Sequence, residues 1–304
     1  MHPENKKRLI SLGKLAETKL ENGEKYLELF HTSEYIEQVK KACISGGHLD
    51  NDTIVSKQSY EAAIYAVGAT IMASQTGDFA LTRPPGHHAH PNHSSGFCVF
   101  NNIAIATQKL VNEGKRVLIF DFDGHLGDGT VKYFYNSDKV MYWSMHQYPA
   151  FPGGGDADEI GDGVGRGYTI NVPLPQGSGD DLFMDAFNTF LPVAKEFNPD
   201  VVAVSAGFDS HHYDLLLNLR FSLNVYYKIG KLLSENFKNI FATLEGGYNI
   251  EFFPKCLLNF LEGVNNYRMR YEEQETDSTI QTFYEYEGRK HLIVQLLSKY
   301  WKNI

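Results

Sequence analysis

Cysteine is scarce in this chain. Its three cysteines, Cys43, Cys98 and Cys256, stand far apart, and none belongs to a C-x-x-C pair. An odd count with that spacing argues against a disulfide framework and for a reducing compartment. Positive charge is also in short supply: 28 lysines and arginines face 37 acidic residues, a formal net charge of −9. A nucleic-acid surface needs a basic stripe, so no direct nucleic-acid binding is expected. The acidic balance serves solubility and is compatible with a cationic substrate such as a lysine side chain or a polyamine. No apolar run reaches the roughly 18 residues of a membrane span, and no basic-then-apolar leader opens the sequence. Repeats and low-complexity tracts are missing as well. The expectation is a cytoplasmic globular protein with no membrane association.

What is present suits one large core. A chain of 304 residues, 42% hydrophobic and 21% charged, lies near the upper size of a single α/β domain. Helical periodicity covers 34–43 and 59–73, the second with Ser56 as its N-cap, and a helix is expected over 102–110. Amphipathic segments follow at 181–197 and 226–237. Between them lie short apolar runs at 79–82, 116–123, 140–144, 168–172, 201–205 and 240–244. Runs such as Val117-Leu118-Ile119-Phe120 suit strands buried on both faces, and strands alternating with helices predict a mainly parallel sheet. The acidic stretch 272–277 reads as a surface connector. After it, Leu292, Ile293, Leu296, Leu297, Tyr300 and Trp301 recur at helical spacing. That closing helix is expected to pack on its own domain, an oligomer contact being the alternative.

The chemistry concentrates in loops after these strands. Arg83-Pro84-Pro85-Gly86-His87-His88-Ala89-His90 precedes Asp121-Phe122-Asp123-Gly124-His125. In open parallel sheets, ligands bind beyond the carboxyl ends of the strands, where the 116–123 strand delivers its acids. If the extended conformation continues, Asp121, Asp123 and His125 share one face and Phe122 takes the other. Asp209 arrives from the end of the 201–205 strand. Two carboxylates and one imidazole leave a divalent ion an open position for water, as hydrolytic zinc sites require. Availability favours zinc, and oxygen-rich ligation also admits Fe2+, Mn2+ and cobalt.

His87 and His88 supply proton carriers. One imidazole can take a proton from water and return it to an amine, with Asp121 and Asp128 as the carboxylates that orient such rings. His90 and His93 read as loop structure. In Leu244-Glu245-Gly246-Gly247-Tyr248 the glycines permit a sharp turn, and the phenol is placed to donate to an oxyanion. Each motif alone fits a blander role: a capped loop, a hydrogen-bonded histidine, a packed tyrosine. Their convergence at matching strand ends points to hydrolysis.

Six ordered motifs carry a resemblance: Arg83 to His88, Ser95-Gly96-Phe97-Cys98, Asn101-Asn102, Asp121 to Thr130, Ser205-Ala206-Gly207-Phe208-Asp209, and Leu244 to Asn249. Together they resemble the zinc-dependent histone deacetylase superfamily, which includes acetylpolyamine amidohydrolases and acetoin-utilisation proteins. The similarity runs from His2-Pro3-Glu4 to about Phe260. It implies the arginase/deacetylase α/β fold, one domain over 1–304 around a mainly parallel sheet of roughly eight strands flanked by helices. It also implies that Asp123, His125 and Asp209 bind Zn2+, with Fe2+ or Mn2+ as alternatives. His88 would act as general base and acid, His87 would assist, and Asp121 and Asp128 would stand behind His87 and His88. Tyr248 would hold the oxyanion. Phe97 and Phe151 would wall an acyl-lysine tunnel, and the Gly96 carbonyl would accept the substrate amide. A structural K+ or Na+ would sit at Asp121, Ser144, Met145 and the backbone of Asp123 and His125.

The departures from the family pattern are local. The chain opens at Met1-His2, where relatives carry an earlier strand, so an N-terminal edge strand is expected to be missing and the pocket mouth more open. Leu126 replaces a common second histidine, which predicts a packing change rather than lost metal. Ser210-His211-His212-Tyr213-Asp214-Leu215-Leu216 stands where relatives read Asp-Pro-Leu-Gly. Leu216 is the best match for the rim leucine, and no gatekeeper glutamate occupies that point, which favours acyl-lysine over acetylpolyamine. Asp50 or Asp52 would be the acidic rim residue. The expected activity is removal of acetyl or another short acyl group from lysine in proteins or peptides. An acetylpolyamine amidohydrolase is the nearest alternative, and a non-catalytic acyl-lysine-binding module is the alternative of another class. Arginase-like hydrolysis ranks below these because it needs a two-metal aspartate cluster.

Overall fold

The structure, a computed structural model, describes residues 2–16 and 18–304. A short helix α1 (Lys7–Ile10) leads to α2 (Ser33–Ser45), a two-stranded antiparallel ribbon of β1 (Gly47–His48) and β2 (Ile54–Val55), and helix α3 (Ser59–Thr76). The main body then alternates: β3 (Phe79–Ala80), α4 (Asn102–Asn112), β4 (Val117–Asp121), α5 (Asp128–Phe134), β5 (Val140–Gln147), β6 (Thr169–Leu174), α6 (Asp180–Phe197), β7 (Val201–Ala206), α7 (Leu223–Asn236), β8 (Ile240–Leu244), α8 (Phe253–Val264) and α9 (Ile280–Leu297). None of the described helices is long and apolar enough to cross a membrane.

Six strands form one sheet in the order β3-β8-β7-β4-β5-β6, and every neighbouring pair is parallel. The sheet of roughly eight strands is therefore six among the described residues. The remaining two strands pair only with each other in the β1–β2 ribbon, and the segment at His2–Ser11 forms a helical turn. In β4, Leu118 and Phe120 join one buried cluster with Trp143 and Phe187, while Val117 and Ile119 join another with Ile103 and Phe134. That alternation is why the run is apolar throughout: helices cover both faces of the sheet. Chain order reverses between β4 and β7, so the crevice at their carboxyl ends is the topological switch point.

Several local readings change. Ser56 does not cap α3; its backbone N–H donates to the Ser59 hydroxyl, and the helix starts from Gln58 without a side-chain cap. Helices α5 and α8 were not anticipated, although Pro254 opens α8 as a first-turn proline should. The acidic stretch 272–277 is more than a surface connector, since Glu273 accepts the Leu223 N–H and Thr276 bonds Asp180. Beyond it, α9 places Tyr286, Ile293 and Leu297 in the same core as the sheet, and the Trp301 indole donates to Gly167 O at 2.6 Å.

Helices α7 and α8 pack backbone to backbone through glycine. A Cβ on Gly230 would drive into the Phe260 carbonyl and lie 2.8 Å from the Val264 nitrogen. Gly230→Ala should lower stability by about 1–3 kcal/mol through this overpacking, read as a shifted denaturation midpoint with unchanged slope.

Candidate active site

The carboxyl ends of β4 and β7 bring Asp123, His125 and Asp209 together, all three buried. His125 Nδ1 lies 3.2 Å from Asp123 Oδ1 and 2.8 Å from Asp209 Oδ2. They meet by a different route from the expected strand alternation. β4 stops at Asp121, and the Asp123 carboxylate accepts the His125 backbone N–H at 2.9 Å, bending the chain back on itself. A side chain that bonds its own backbone two residues on makes such a turn without help from the sheet.

Each carboxylate also spends an oxygen on a loop N–H. Asp123 Oδ2 accepts from Gly246 at 2.8 Å, and Asp209 Oδ1 accepts from Gly124 at 2.9 Å. The other oxygens turn towards His125. A Cβ on Gly246 would stand 2.5 Å from Asp209 Oδ2 and 2.6 Å from Asp123 Oδ2, so the close approach of this turn requires glycine. Burial opposes a charge on His125, but Asp209 and Asp123 outweigh it and raise its pKa to about 10. The two carboxylates thus demand positive charge at this point. One oxygen from each, with one imidazole nitrogen, fits a divalent ion of the zinc class. The three ligand atoms lie within 4.8 Å of one another.

The histidine loop is held from below by Glu245, fully buried, whose carboxylate accepts the N–H groups of Gly86 at 2.7 Å and His87 at 3.1 Å. Burial pushes this carboxyl up to about 7. Asn101 caps α4 and donates to Ala89 O, while Asn102 donates to Pro84 O, which gives that Asn-Asn pair its use. His87 Nδ1 faces Asp121 Oδ2 at 3.1 Å, and His88 Nδ1 faces Asp128 Oδ1 at 2.8 Å. The two rings lie 4.0 Å apart but titrate in opposite directions. Burial works against a charged His87, yet Asp123, Asp121 and Glu245 raise its pKa well above normal. For His88, burial and then the charge of His87 lower the pKa to about 4. His88 is consequently a neutral acceptor at neutral pH, with Nε2 as its free nitrogen. His90 does more than shape the loop: its Nε2 lies 2.8 Å from Asp128 Oδ2, while His93 stacks on its ring at 4.2 Å.

Tyr248 follows the glycine turn. Arg8, fully buried, reaches from α1 to donate to Gly247 O at 2.7 Å and Glu245 O at 2.5 Å, with its guanidinium 4.9 Å above the Tyr248 ring. Glu4 pairs with both Arg8 and Arg83. Neither Arg8 nor Glu4 was anticipated; their i, i+4 spacing was the available signal. Gly96 and Phe97 both have positive φ, 52° and 69°, the geometry of a tight hairpin turn. The turn sets the Phe97 ring edge-on to Tyr248 at 5.7 Å. Phe151 lies 5.2 Å from the His88 ring and 6.2 Å from His125, so the two phenylalanines flank the site.

The rim is less uniform. Leu216 is 39% exposed, whereas Leu217, not selected from sequence, packs against Gly124 beside the ligands. Asp50 is committed to its own turn and to the Ser94 hydroxyl at 2.6 Å; Asp52 is exposed. Leu126 is buried in the core, as a packing substitution should be. Asp121 and Ser144 are buried partners across the β4–β5 register, and Met145 is the next residue of β5.

A parallel six-stranded sheet covered by helices on both faces, with its switch point between β4 and β7, has the arginase/deacetylase α/β architecture. The comparisons agree. The histone deacetylase domain family model matches residues 2–264. A probable deacetylase of Archaeoglobus fulgidus is 37% identical over 277 residues, covering 82% of this chain and 77% of that protein. Histone deacetylase 8 of Arabidopsis thaliana is 38% identical over 260 residues, covering 78% and 69%. The solved HDA15 HD domain shares a TM-score of 0.89 at 29% identity, over 99% of this chain and 91% of that one. This chain belongs to the histone deacetylase family.

Two stability measurements probe this scaffold. Arg8→Met strips hydrogen bonds from two buried carbonyls and should cost about 2–4 kcal/mol in chemical denaturation. His31, whose Nε2 accepts the Asn101 N–H at 2.9 Å, is held neutral by burial, its pKa lowered to about 3 from 6.5. Between those values the unfolded chain binds a proton that the folded chain refuses, so stability falls as pH drops below 6.5. His31→Gln should flatten that acid slope by up to about 1.4 kcal/mol per pH unit.

Proposed function

We propose that this chain is a metal-dependent amidohydrolase that removes acetyl, or a related short acyl group, from the side-chain amine of lysine in proteins or peptides. The observation that carries the reading is the convergence of Asp123, His125 and Asp209 within reach of His88, a neutral imidazole oriented by Asp128. A divalent ion held by the three ligands, Zn2+ or else Fe2+ or Mn2+, would polarise the acyl carbonyl and acidify a water. His88 Nε2 takes the proton of the attacking water and returns it to the departing amine. His87, charged between Asp121 and Asp123, keeps positive charge beside the developing oxyanion, to which the Tyr248 hydroxyl donates. Phe97 and Phe151 exclude water along the acyl chain, the Gly96 carbonyl accepts the substrate N–H, and Leu216 lines the rim. Asp121, Ser144, Met145 and the backbone of Asp123 and His125 would hold K+ or Na+, which would offset the fully buried Asp121 carboxylate.

His88→Ala and Tyr248→Phe should each lower turnover of an acetyl-lysine peptide by about 100-fold or more while leaving the bound metal per chain unchanged. Undiminished rates in either variant would remove that residue from the mechanism. Acetylspermidine, assayed beside the peptide, separates a polyamine enzyme from a lysine deacylase. Tight hydroxamate binding without turnover of either substrate would instead indicate an acyl-lysine-binding module.

A further inference from the structure

The pair His211-His212 and the strap at 272–277 have no part in the reaction, yet they meet. His211 Nε2 lies 3.1 Å from Glu273 Oε2, and His212 Nε2 lies 2.8 Å from Glu273 Oε1. All three ligand atoms fall within 4.8 Å of one another. Two imidazoles and a carboxylate form a zinc donor set of their own, in which ligand atoms around a tetrahedral ion stand about 3–3.5 Å apart. The donors are also held in place. The His211 ring stacks on Phe252 at 4.8 Å and 23°, the His212 ring packs on Tyr213 at 4.0 Å, and Glu273 Oε2 accepts the Leu223 N–H at 2.9 Å. Such outer contacts fix ligand orientation before an ion arrives.

We propose that His211, His212 and Glu273 form a second divalent-cation site, for Zn2+ or an ion of the same borderline class, that clamps the rim loop 210–216 to the 272–277 strap. With its ring proton on Nδ1, each histidine offers Nε2 to the ion, which takes the place between Nε2 and the carboxylate. The ion replaces the two Nε2–Glu273 hydrogen bonds, and the long 3.3 Å bond from the Tyr213 N–H to His211 Nδ1 is given up. The clamped loop carries Asp214, whose Oδ2 accepts the N–H groups of Tyr248 at 2.6 Å and Asn249 at 2.9 Å. An ion here therefore steadies the turn that presents Tyr248. The site stands apart from the hydrolase reading, since none of its donors belongs to the Asp123-His125-Asp209 set.

The test counts ions. The full chain, stripped with chelator and dialysed against Zn2+ or Co2+, is analysed for metal per chain beside His212→Ala, Glu273→Gln and both changes in a His125→Ala background. Loss of one ion per chain with either rim substitution, in the parent and in the His125→Ala background, is the expected result. Equal metal content with and without the rim substitutions overturns the proposal. The comparison is a difference, so it holds whether or not the buried site loads. Glu273→Gln preserves the shape of the side chain, and circular dichroism on the same samples verifies that the chains are folded.

Discussion

Four carboxylates, Asp121, Asp123, Asp209 and Glu245, are buried at the carboxyl ends of three adjacent parallel strands. Like charges so placed repel one another and forfeit hydration, so each needs compensation in kind. Much of the local structure is that compensation. Backbone N–H groups of Gly86, His87, Gly124 and Gly246 point at carboxylate oxygens, and the Tyr142 hydroxyl donates to Asp121 at 2.9 Å. Imidazoles meet part of what the N–H groups leave uncompensated, His125 between Asp123 and Asp209 and His87 beside Asp121.

The same charge cluster separates the roles of two adjacent histidines. His87 faces Asp121, Asp123 and Glu245 and is held positive; His88 feels that positive charge and is held neutral. Two identical side chains, 4.0 Å apart, are thereby driven in opposite directions of titration. Environment assigns the roles, as it does wherever paired titratable groups are pushed apart in pKa. Arg8 extends the arrangement to the phenol, since it bonds the carbonyls on either side of Gly246 and lies over the Tyr248 ring.

The strands were the most legible part of the sequence. Runs such as Val117–Phe120 and Val201–Val204 are apolar at every position because helices cover both faces of the sheet, and their short length and β-branched content mark them as strands. The candidate ligands were legible for a different reason: carboxylates and imidazoles recur after several strands whose ends must lie together in a parallel sheet. Less was visible where a contact depends on distant chain. Glu245 spans 159 residues to reach Gly86, and Arg8 spans 239 to reach Gly247. No periodicity encodes such pairs. The alternation expected through His125 gave way to a side-chain turn at Asp123, because a carboxylate two residues before an N–H competes with the strand.

By itself, the sequence determined which segments form the six strands of the main sheet and which residue types stand at their ends. Those properties depend on neighbours along the chain: periodicity, turn residues and side-chain chemistry. Only the tertiary structure decided that six strands share one sheet, that His90 joins His88 on Asp128, and that His211, His212 and Glu273 converge. The parallel register brings together residues far apart in the chain, and proximity of that kind arises from packing the whole core rather than from any one segment.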